Sequence, residues 1–495
     1  LPSVFPPSAP RLLVRGCHSF CRFIDLLGRD KKRLTRRTII LYNTRLSGKT
    51  YAFSSLSDVL SKASEDKSGD VFIGLAARCA SERVAARVVL SDVTVGDLRN
   101  APSVPYETDE VTRVSQALVD EAVHDRIRGM SIGEVRDHIL SHEVSGSDIA
   151  ELSRGLTPEC VAAIAKLMTS MDLVYAAKKI RVPTTCATTI GLPGRLSSRV
   201  QPNHPADEVP GILASAMEGL SYGQGDAVLG VNPVDDGVDS VKRILEAVWE
   251  LMQKWEIPTQ NCVLAHVTTQ MRAVRQGAPS CMLFQSVAGT EPANKAFGID
   301  ANLIAEAYDL IMEMGMAPGP NRMYFETGQG AEMSINTACG VDMMTLEARC
   351  YAFCKAFKPF MVNNVSGFIG SETLYDGRQV IRASLEDHFM GKLTGLPMGV
   401  APCYTNHTPI DQNDQETATM LLTMAGANFF MALPMGDDVM LAYQDTSYHD
   451  NCALRELAGL LPAPEFHKWL VKHEIMDENG KLTRKAGDAS MFAAR

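Results

Sequence analysis

The stretch AVLGVNPVDDGVDSVKRILEAVWELMQKWEIPTQNCVLAHV, residues 227–267, carries the pattern that decides the fold. A short apolar run at 227–232 gives way to polar residues around Pro233, then to a helical stripe over 241–255, then to a second apolar run at 262–267. Val241, Ile244, Leu245, Val248, Met252 and Trp255 recur at steps of three and four, which places them on one helix face. Asp239 or Ser240 is available as the N-cap. Strand, amphipathic helix and strand in that order make a unit whose two strands run parallel.

The alternation extends in both directions. Apolar runs at 188–192, 227–232, 262–267, 281–286, 323–327, 360–365, 396–400 and 427–433 make eight candidate strands. Helical stripes at 241–255, 301–314, 343–357, 378–389 and 416–425 lie between them, and the gap between the third and fourth runs holds one short helix. Residues 187–435 span 249 positions, close to the ~250 of an eight-stranded β/α barrel. The expected fold class is therefore α/β: a (β/α)8 TIM barrel over 181–440, an N-terminal helical region over 40–180 and a short C-terminal helical extension over 441–495. In the N-terminal region helices are expected at 57–63, 81–90, 108–130, 131–141 and 157–178.

A length of 495 residues, at roughly 150 per domain, suits two to three domains or one large barrel with additions. Apolar residues at 45% and charged residues at 21% exclude global disorder. The 48 Lys and Arg against 58 Asp and Glu leave a net charge of −10, which argues against nucleic-acid binding. That charge is uneven. Residues 1–39 hold nine basic and two acidic residues, so they carry +7 and the remainder −17. The segment loosely resembles an organelle transit peptide, and reads as a basic extension, disordered or not native. The uncharged stretch 417–436 contains three threonines, Gly426, Asn428 and Pro434, so it divides into a buried helix and a buried strand rather than a membrane span. The twelve cysteines include no Cys-x-x-Cys; Cys17/Cys21 and Cys350/Cys354 have helical spacing, and the set reads as reduced, mostly buried thiols. Gly48-Lys49-Thr50 looks like the end of a phosphate loop, but Asn43 stands where its first glycine belongs.

Barrel chemistry sits at the C-terminal ends of the strands, so the polar residues ending each run are the candidates. They are Arg199 and Gln201, Asn232 with Asp235 and Asp236, His266, Gln285 and Ser286, Glu326 and Gln329, Asn363, Asn364 and Ser366, Cys403 and Asn406, and Asp437 and Asp438. Amides and hydroxyls dominate, and the several His and Asp ligands of metal hydrolases of this fold are missing. Two adjacent acid pairs, Asp235/Asp236 and Asp437/Asp438, still allow a magnesium-dependent lyase or aldolase.

Seven strings stand in order along the chain: TTIGLPGRLSSRVQPN (188–203), GDAVLGVNPV (225–234), CVLAHVTTQ (262–270), YFETGQG (324–330), EDHFMGKL (386–393), CYTNH (403–407) and GDDVML (436–441). Together they closely resemble the large, catalytic subunit of ethanolamine ammonia-lyase, from about Ile40 to the end of the chain. The resemblance implies a barrel enzyme that uses adenosylcobalamin to convert ethanolamine to acetaldehyde and ammonia. It implies substrate contacts at Arg199, Gln201, Asn232 and Glu326, with Glu326 and Arg199 catalytic. Glu326 would meet the ammonium, and Arg199 would donate to the substrate oxygen as charge develops there. Pro233, Gln285, Ser334 and Met440 match positions that touch the corrinoid, and no metal-ligating residue is implied. A small second subunit, a hexamer of large–small pairs, and a cytoplasmic location, in bacteria often inside a protein-shelled microcompartment, follow from the same resemblance; no nucleic acid or membrane partner does.

One position departs from the family pattern. Met398-Gly399-Val400-Ala401-Pro402-Cys403-Tyr404 carries Ala401 where the family has an aspartate, which raises the alternative of a non-catalytic homologue. A second segment, 386–391, is similar to an Asp-x-His-x-x-Gly signature that delivers a histidine to cobalt. Its first acid is Glu386 and it falls at the end of an expected helix, so a salt-bridged helix end is the better reading.

Overall fold

The computed structural model describes residues 42–493; the expectation for the basic extension 1–39 lies outside them. Eight parallel strands form the barrel: Ser197–Val200, Val228–Val231, Asn261–Val263, Leu283–Ser286, Met323–Thr327, Met361–Val365, Met398–Ala401 and Phe429–Ala432. Numbered along the chain, their order in the sheet is 3-2-1-8-7-6-5-4. The third and fourth strands close the ring through side chains. Gln270 Oε1 accepts from Phe284 N at 3.0 Å while its Nε2 donates to Phe284 O at 2.8 Å. Asn261 Oδ1 accepts from Cys281 N at 2.9 Å. One amide thus stands in for a missing ladder partner, and the buried main-chain groups at this seam stay satisfied.

Seven of the eight expected strands lie where the apolar runs place them, and one expectation is corrected. Residues 188–192 do not form the first barrel strand. Thr184–Thr185 and Thr189–Ile190 instead make a small antiparallel pair before the barrel, and the first strand is Ser197–Val200. Its sequence, Ser-Ser-Arg-Val, carries little apolar signal because polar partners, not oil, bury it. Asp226 Oδ1 accepts from Ser198 N at 2.8 Å and from Arg455 at 3.0 Å. Arg455 also donates to Leu196 O and Gly223 O, so the C-terminal helix Tyr448–Ala458 plugs the end of the barrel where the strands begin. The barrel helix Val238–Lys254 begins earlier than expected, with Gly237 rather than Asp239 or Ser240 at its N-cap, and buries Val241, Ile244, Leu245, Val248 and Met252.

The segment before the barrel begins as a hairpin, Tyr42–Leu46 against Lys49–Phe53. Ser47 and Gly48 both take positive φ, 49° and 79°, as a two-residue hairpin turn demands. Gly48-Lys49-Thr50 is therefore turn and strand, not a phosphate loop. Helices follow from Leu56–Ala63 to Ser170–Lys179. Two expected long helices are broken by competing caps. Asp120 accepts from Val123 N and splits 108–130 into Glu110–Ala117 and Glu121–Ile127. A Thr169–Asp172 capping box splits 157–178 into Pro158–Lys166 and Ser170–Lys179. After the barrel, 441–495 is not wholly helical: Tyr443–Gln444 is a strand, and helices Tyr448–Ala458 and Pro464–Lys472 come after it. No helix among the described residues is long and apolar enough to cross a membrane.

Buried ion pairs join these helices to the barrel wall. Arg349, fully buried in Met343–Lys355, reaches Asp109 at 2.7 Å and Glu159 at 3.0 Å. Lys166 reaches Asp342 at 2.6 Å, and Lys67 reaches Glu386 at 2.7 Å. The segment 386–391 lies inside Gly377–Thr394 rather than at its end, because the helix continues to a left-handed C-cap at Gly395. Burial tends to raise the Glu386 carboxyl, but Lys67 and Arg382 outweigh it and hold it down at about 2. His388, buried in the same helix, is driven well below the ordinary histidine range by burial and then by Lys392, so its imidazole is neutral. The salt-bridged reading of this segment stands; its place at a helix end does not.

Candidate active site

A cavity of about 490 Å³ opens at the C-terminal ends of the strands. Arg199, Gln201, Asn232, Glu326, Asn363, Gln285, Ala401 and Tyr443 are among the residues lining it. The four expected substrate contacts are thus brought together. Arg199 and Glu326 sit on strands in register with the ring, Arg199 beside Met431 and Val228, Glu326 beside Asn363 and Ser286. Both side chains point inward because neighbours in a strand alternate faces.

Arg199 is 1% exposed. Its Nη1 donates to Glu326 Oε1 at 2.7 Å and to the Tyr324 hydroxyl at 2.8 Å, and its Nη2 donates to Asn232 Oδ1 at 2.7 Å. Burial works against its charge, but Tyr324 and Glu326 more than compensate and its pKa is raised, so the guanidinium stays protonated. Glu326 Oε1 also accepts from Tyr324 and from Asn363 Nδ2 at 3.3 Å. Three donors therefore converge on one oxygen, and among the described residues none donates to Oε2.

Donor and acceptor chemistry fixes the amides around this pair. Guanidinium only donates, so Asn232 must turn Oδ1 to Arg199, which leaves its Nδ2 as the group available to a ligand. Asn232 N donates to Asn203 Oδ1 at 2.8 Å, and Asn203 Nδ2 donates to Asp438 Oδ2 at 2.8 Å. Gln201 Nε2 donates to the same Asp438 oxygen at 2.6 Å and to Tyr443 OH at 2.8 Å. Carboxylate only accepts, so Gln201 Oε1 becomes the free end of the amide, and it is buried without a protein partner. Asn363 Oδ1 and Arg199 Nε are unpartnered in the same way. These are atoms that a ligand or ordered water must satisfy.

Asp438 thus sets the polarity of Gln201 without touching the cavity. Asp438→Asn removes the reason for Nε2 to face away, and a flipped Gln201 would present a donor to a cation. The expected result is a rise in KM of about tenfold with a smaller change in kcat, read from steady-state kinetics.

Tyr324, Asn203, Tyr443 and Asp438 complete the network, and the reading by strand ends passed over the first three. Their signal was the period of two: Arg199, Gln201 and Asn203 alternate along one segment, and Tyr324 and Glu326 along another. Aromatic residues within an apolar run read as core, and Tyr324 is indeed fully buried.

Residues 51–485 match the family described as ethanolamine ammonia lyase large subunit (EutB). The chain is 50% identical over 449 residues to the ethanolamine ammonia-lyase large subunit of Escherichia coli strain K12, which covers 91% of this chain and 99% of that one. The corresponding subunit of Salmonella typhimurium strain LT2 matches with the same identity and coverage. The chain belongs to the ethanolamine ammonia-lyase large-subunit family. Among the described residues no group of three or more His, Cys, Asp or Glu is placed to hold a metal ion. The acid pairs of the magnesium reading are occupied: Asp236 accepts from His266 N, Asp235 from Gly237 N, and Asp438 holds four donors.

The four positions expected from the resemblance to touch a corrinoid divide. Gln285 lines the cavity, where its Oε1 accepts from Val267 N at 3.0 Å. Pro233 and Met440 lie in loop and turn segments after the second and eighth strands, and Ser334 ends the short helix Ala331–Ser334 after the fifth, all three outside the cavity lining. Each adjoins an exposed apolar side chain, Val234 at 55%, Ile335 at 38% and Val439 at 65%, and Phe368 after the sixth strand is 39% exposed. Segments that follow four of the strands at the C-terminal end of the barrel therefore carry exposed apolar side chains. Ala401, the position expected to depart from the family pattern, puts only a methyl group into the lining.

Proposed function

We propose that this chain is the catalytic large subunit of an adenosylcobalamin-dependent ethanolamine ammonia-lyase, converting ethanolamine to acetaldehyde and ammonia. The observation that carries the reading is the match between the cavity's unsatisfied atoms and a protonated amino alcohol. An ammonium brings three donors, and Glu326 Oε2, Gln201 Oε1 and Asn363 Oδ1 are three acceptors with no protein partner. A hydroxyl oxygen finds donors in Asn232 Nδ2 and Arg199. Arg199 and Glu326 serve as the catalytic pair, Gln201 and Asn232 as the remaining substrate contacts.

Bound adenosylcobalamin supplies the radical that removes hydrogen from the substrate carbon bearing the hydroxyl. The residues of this chain do the rest of the work. Arg199 donates to the substrate oxygen as negative charge grows there. Glu326 Oε2 holds the ammonium and is placed to keep a proton with the departing amine. The closed floor, with Tyr324, Tyr443 and Leu264 around it, keeps water from the reacting carbon. The exposed apolar side chains of Val234, Ile335, Phe368 and Val439 suit a broad, flat ring lying across the mouth, with Pro233, Gln285, Ser334 and Met440 as its contacts. The family's designation as a large subunit supports a small-subunit partner, and the resemblance extends this to a hexamer of pairs and to cytoplasmic or microcompartment placement. The test is anaerobic mixing of this chain, a small subunit, adenosylcobalamin and ethanolamine. The expected result is acetaldehyde and ammonia together with the absorbance of cob(II)alamin, all dependent on the cofactor and insensitive to magnesium chelation. Turnover without added cofactor, or none with it, overturns the reading.

A further inference from the structure

The charges around the cavity do not, as they stand, balance a cation. Glu326 is already countered by Arg199 at 2.7 Å. Asp438 has both oxygens filled: Oδ1 by Met440 N and Leu441 N, Oδ2 by Gln201 and Asn203. A further carboxyl beside them keeps an empty oxygen. Asp445 is 3% exposed; its Oδ1 accepts from Thr446 N at 2.7 Å and from the Thr446 hydroxyl at 3.1 Å, while Oδ2 is buried with no partner.

Strand register shows where Asp445 lies. Tyr404 pairs with Gln444 and Thr405 with Tyr443 in an antiparallel ladder, and continuing that ladder sets Cys403 opposite Asp445. Side chains alternate along a strand, so Asp445 shares the face of Tyr443. Tyr443 lines the cavity and bonds Gln201, and Ala401 lines the cavity two residues before Cys403. Asp445 is close enough to both for Arg199 to lower and Glu326 to raise its carboxyl.

We propose that Asp445 is a positioning residue for the cationic substrate, its free carboxylate oxygen supplying, from behind the wall formed by Ala401 and Tyr443, the negative charge that Glu326 shares with Arg199. This rests on the amino-alcohol reading above. The methyl of Ala401 puts no competing polar group into that wall, and a charge acting through a buried, weakly polarisable wall is poorly screened.

Asp445 should also make substrate binding depend on pH. Burial pushes its carboxyl up to about 7, against the Thr446 hydrogen bonds and Arg199. The other titratable groups facing it are Cys403 and Tyr443, both raised well above their ordinary values by burial, and Arg199, which stays charged; Glu326 completes the set. A primary ammonium remains protonated across neutrality, so ionising Asp445 tightens binding as pH rises through about 7. Stability runs the other way. A carboxyl raised in the folded state destabilises the fold as pH rises from its unfolded value to its folded one, so Asp445→Asn should melt no lower than wild type at alkaline pH.

The experiment measures kcat and KM for ethanolamine with the reconstituted holoenzyme from about pH 6 to about pH 9. It compares wild type, Asp445→Asn and the double variant Ala401→Asp/Asp445→Asn. Calorimetric binding of ethanolamine to the same complexes loaded with cyanocobalamin gives a readout free of turnover. For Asp445→Asn the expected result is a KM and Kd raised about tenfold, with the loss falling on KM rather than kcat and the step near neutrality gone. Ala401→Asp in that background should recover most of the affinity. Unchanged KM and Kd across the range, or a pH step that survives in Asp445→Asn, overturns the proposal while leaving the enzyme reading intact. A wild-type holoenzyme that does not consume ethanolamine overturns the enzyme reading and this proposal with it.

Discussion

Glu326→Gln lowers ethanolamine turnover by about a hundredfold or more while the fold stays intact. Gln preserves the shape, and its carbonyl can still accept from Arg199, Tyr324 and Asn363 on the Oε1 side. The other terminus changes from acceptor to donor, so an NH2 group meets the substrate's ammonium where an oxygen did. Arg199 loses its counter-charge in the same stroke, and a buried guanidinium facing an ammonium is repulsive. A hundredfold loss corresponds to about 2.7 kcal/mol of barrier, within the range for removing one charged contact from a water-poor site. Turnover and near-ultraviolet circular dichroism of the purified complex check both halves of the expectation.

Arg349→Met carries the largest expected cost in stability. The guanidinium donates to Asp109 Oδ2, Glu159 Oε1, the Thr112 hydroxyl and Gly289 O, and each partner is buried. Asp109 caps the helix Glu110–Ala117 and accepts from Glu291 N at 2.7 Å. One arginine thus ties two helices of the N-terminal region to the barrel wall. Methionine fills much of the volume but leaves two buried carboxylates without a cation. Removing one side of such a network costs about 3–5 kcal/mol, seen as a lower urea midpoint and faster proteolysis of the N-terminal helices.

The barrel was legible because its strands are buried on both faces and so read as continuous apolar runs. Where burial is achieved with hydrogen bonds, that signal vanishes. Ser197-Ser198-Arg199-Val200 is such a case: Ser198 and Arg199 find their main partners in Asp226, Arg455 and Glu326, tens to hundreds of residues away. The site was legible in part for the converse reason. Arg199, Gln201, Asn232 and Glu326 are polar groups at strand ends, where folding has no need of them. Asn203 and Tyr324 are marked only by the period of two they share with Arg199 and Glu326, and Tyr443 acts on Gln201 from another segment with nothing local to mark it. Asp445 follows a short central strand whose register is set by Tyr404–Thr405 on one side and Asp437–Asp438 on the other, so its approach to the cavity is a property of tertiary pairing. Helix breaks at Asp120 and Thr169 were open to sequence reading, since each is a residue type that caps helix N-termini and Thr169 has Asp172 three residues on, but continuous periodicity masked them.

The most direct measurement is an experimental structure of this chain with its small subunit, cyanocobalamin and ethanolamine bound. The expected result places ethanolamine in the cavity at the C-terminal mouth. Its ammonium should lie within hydrogen-bond reach of Glu326 Oε2 and Gln201 Oε1, its hydroxyl should meet Asn232 and Arg199, and the corrin should lie across the Val234, Phe368 and Val439 rim. Ethanolamine bound at the opposite end of the barrel, or a corrin seated away from that rim, would contradict it.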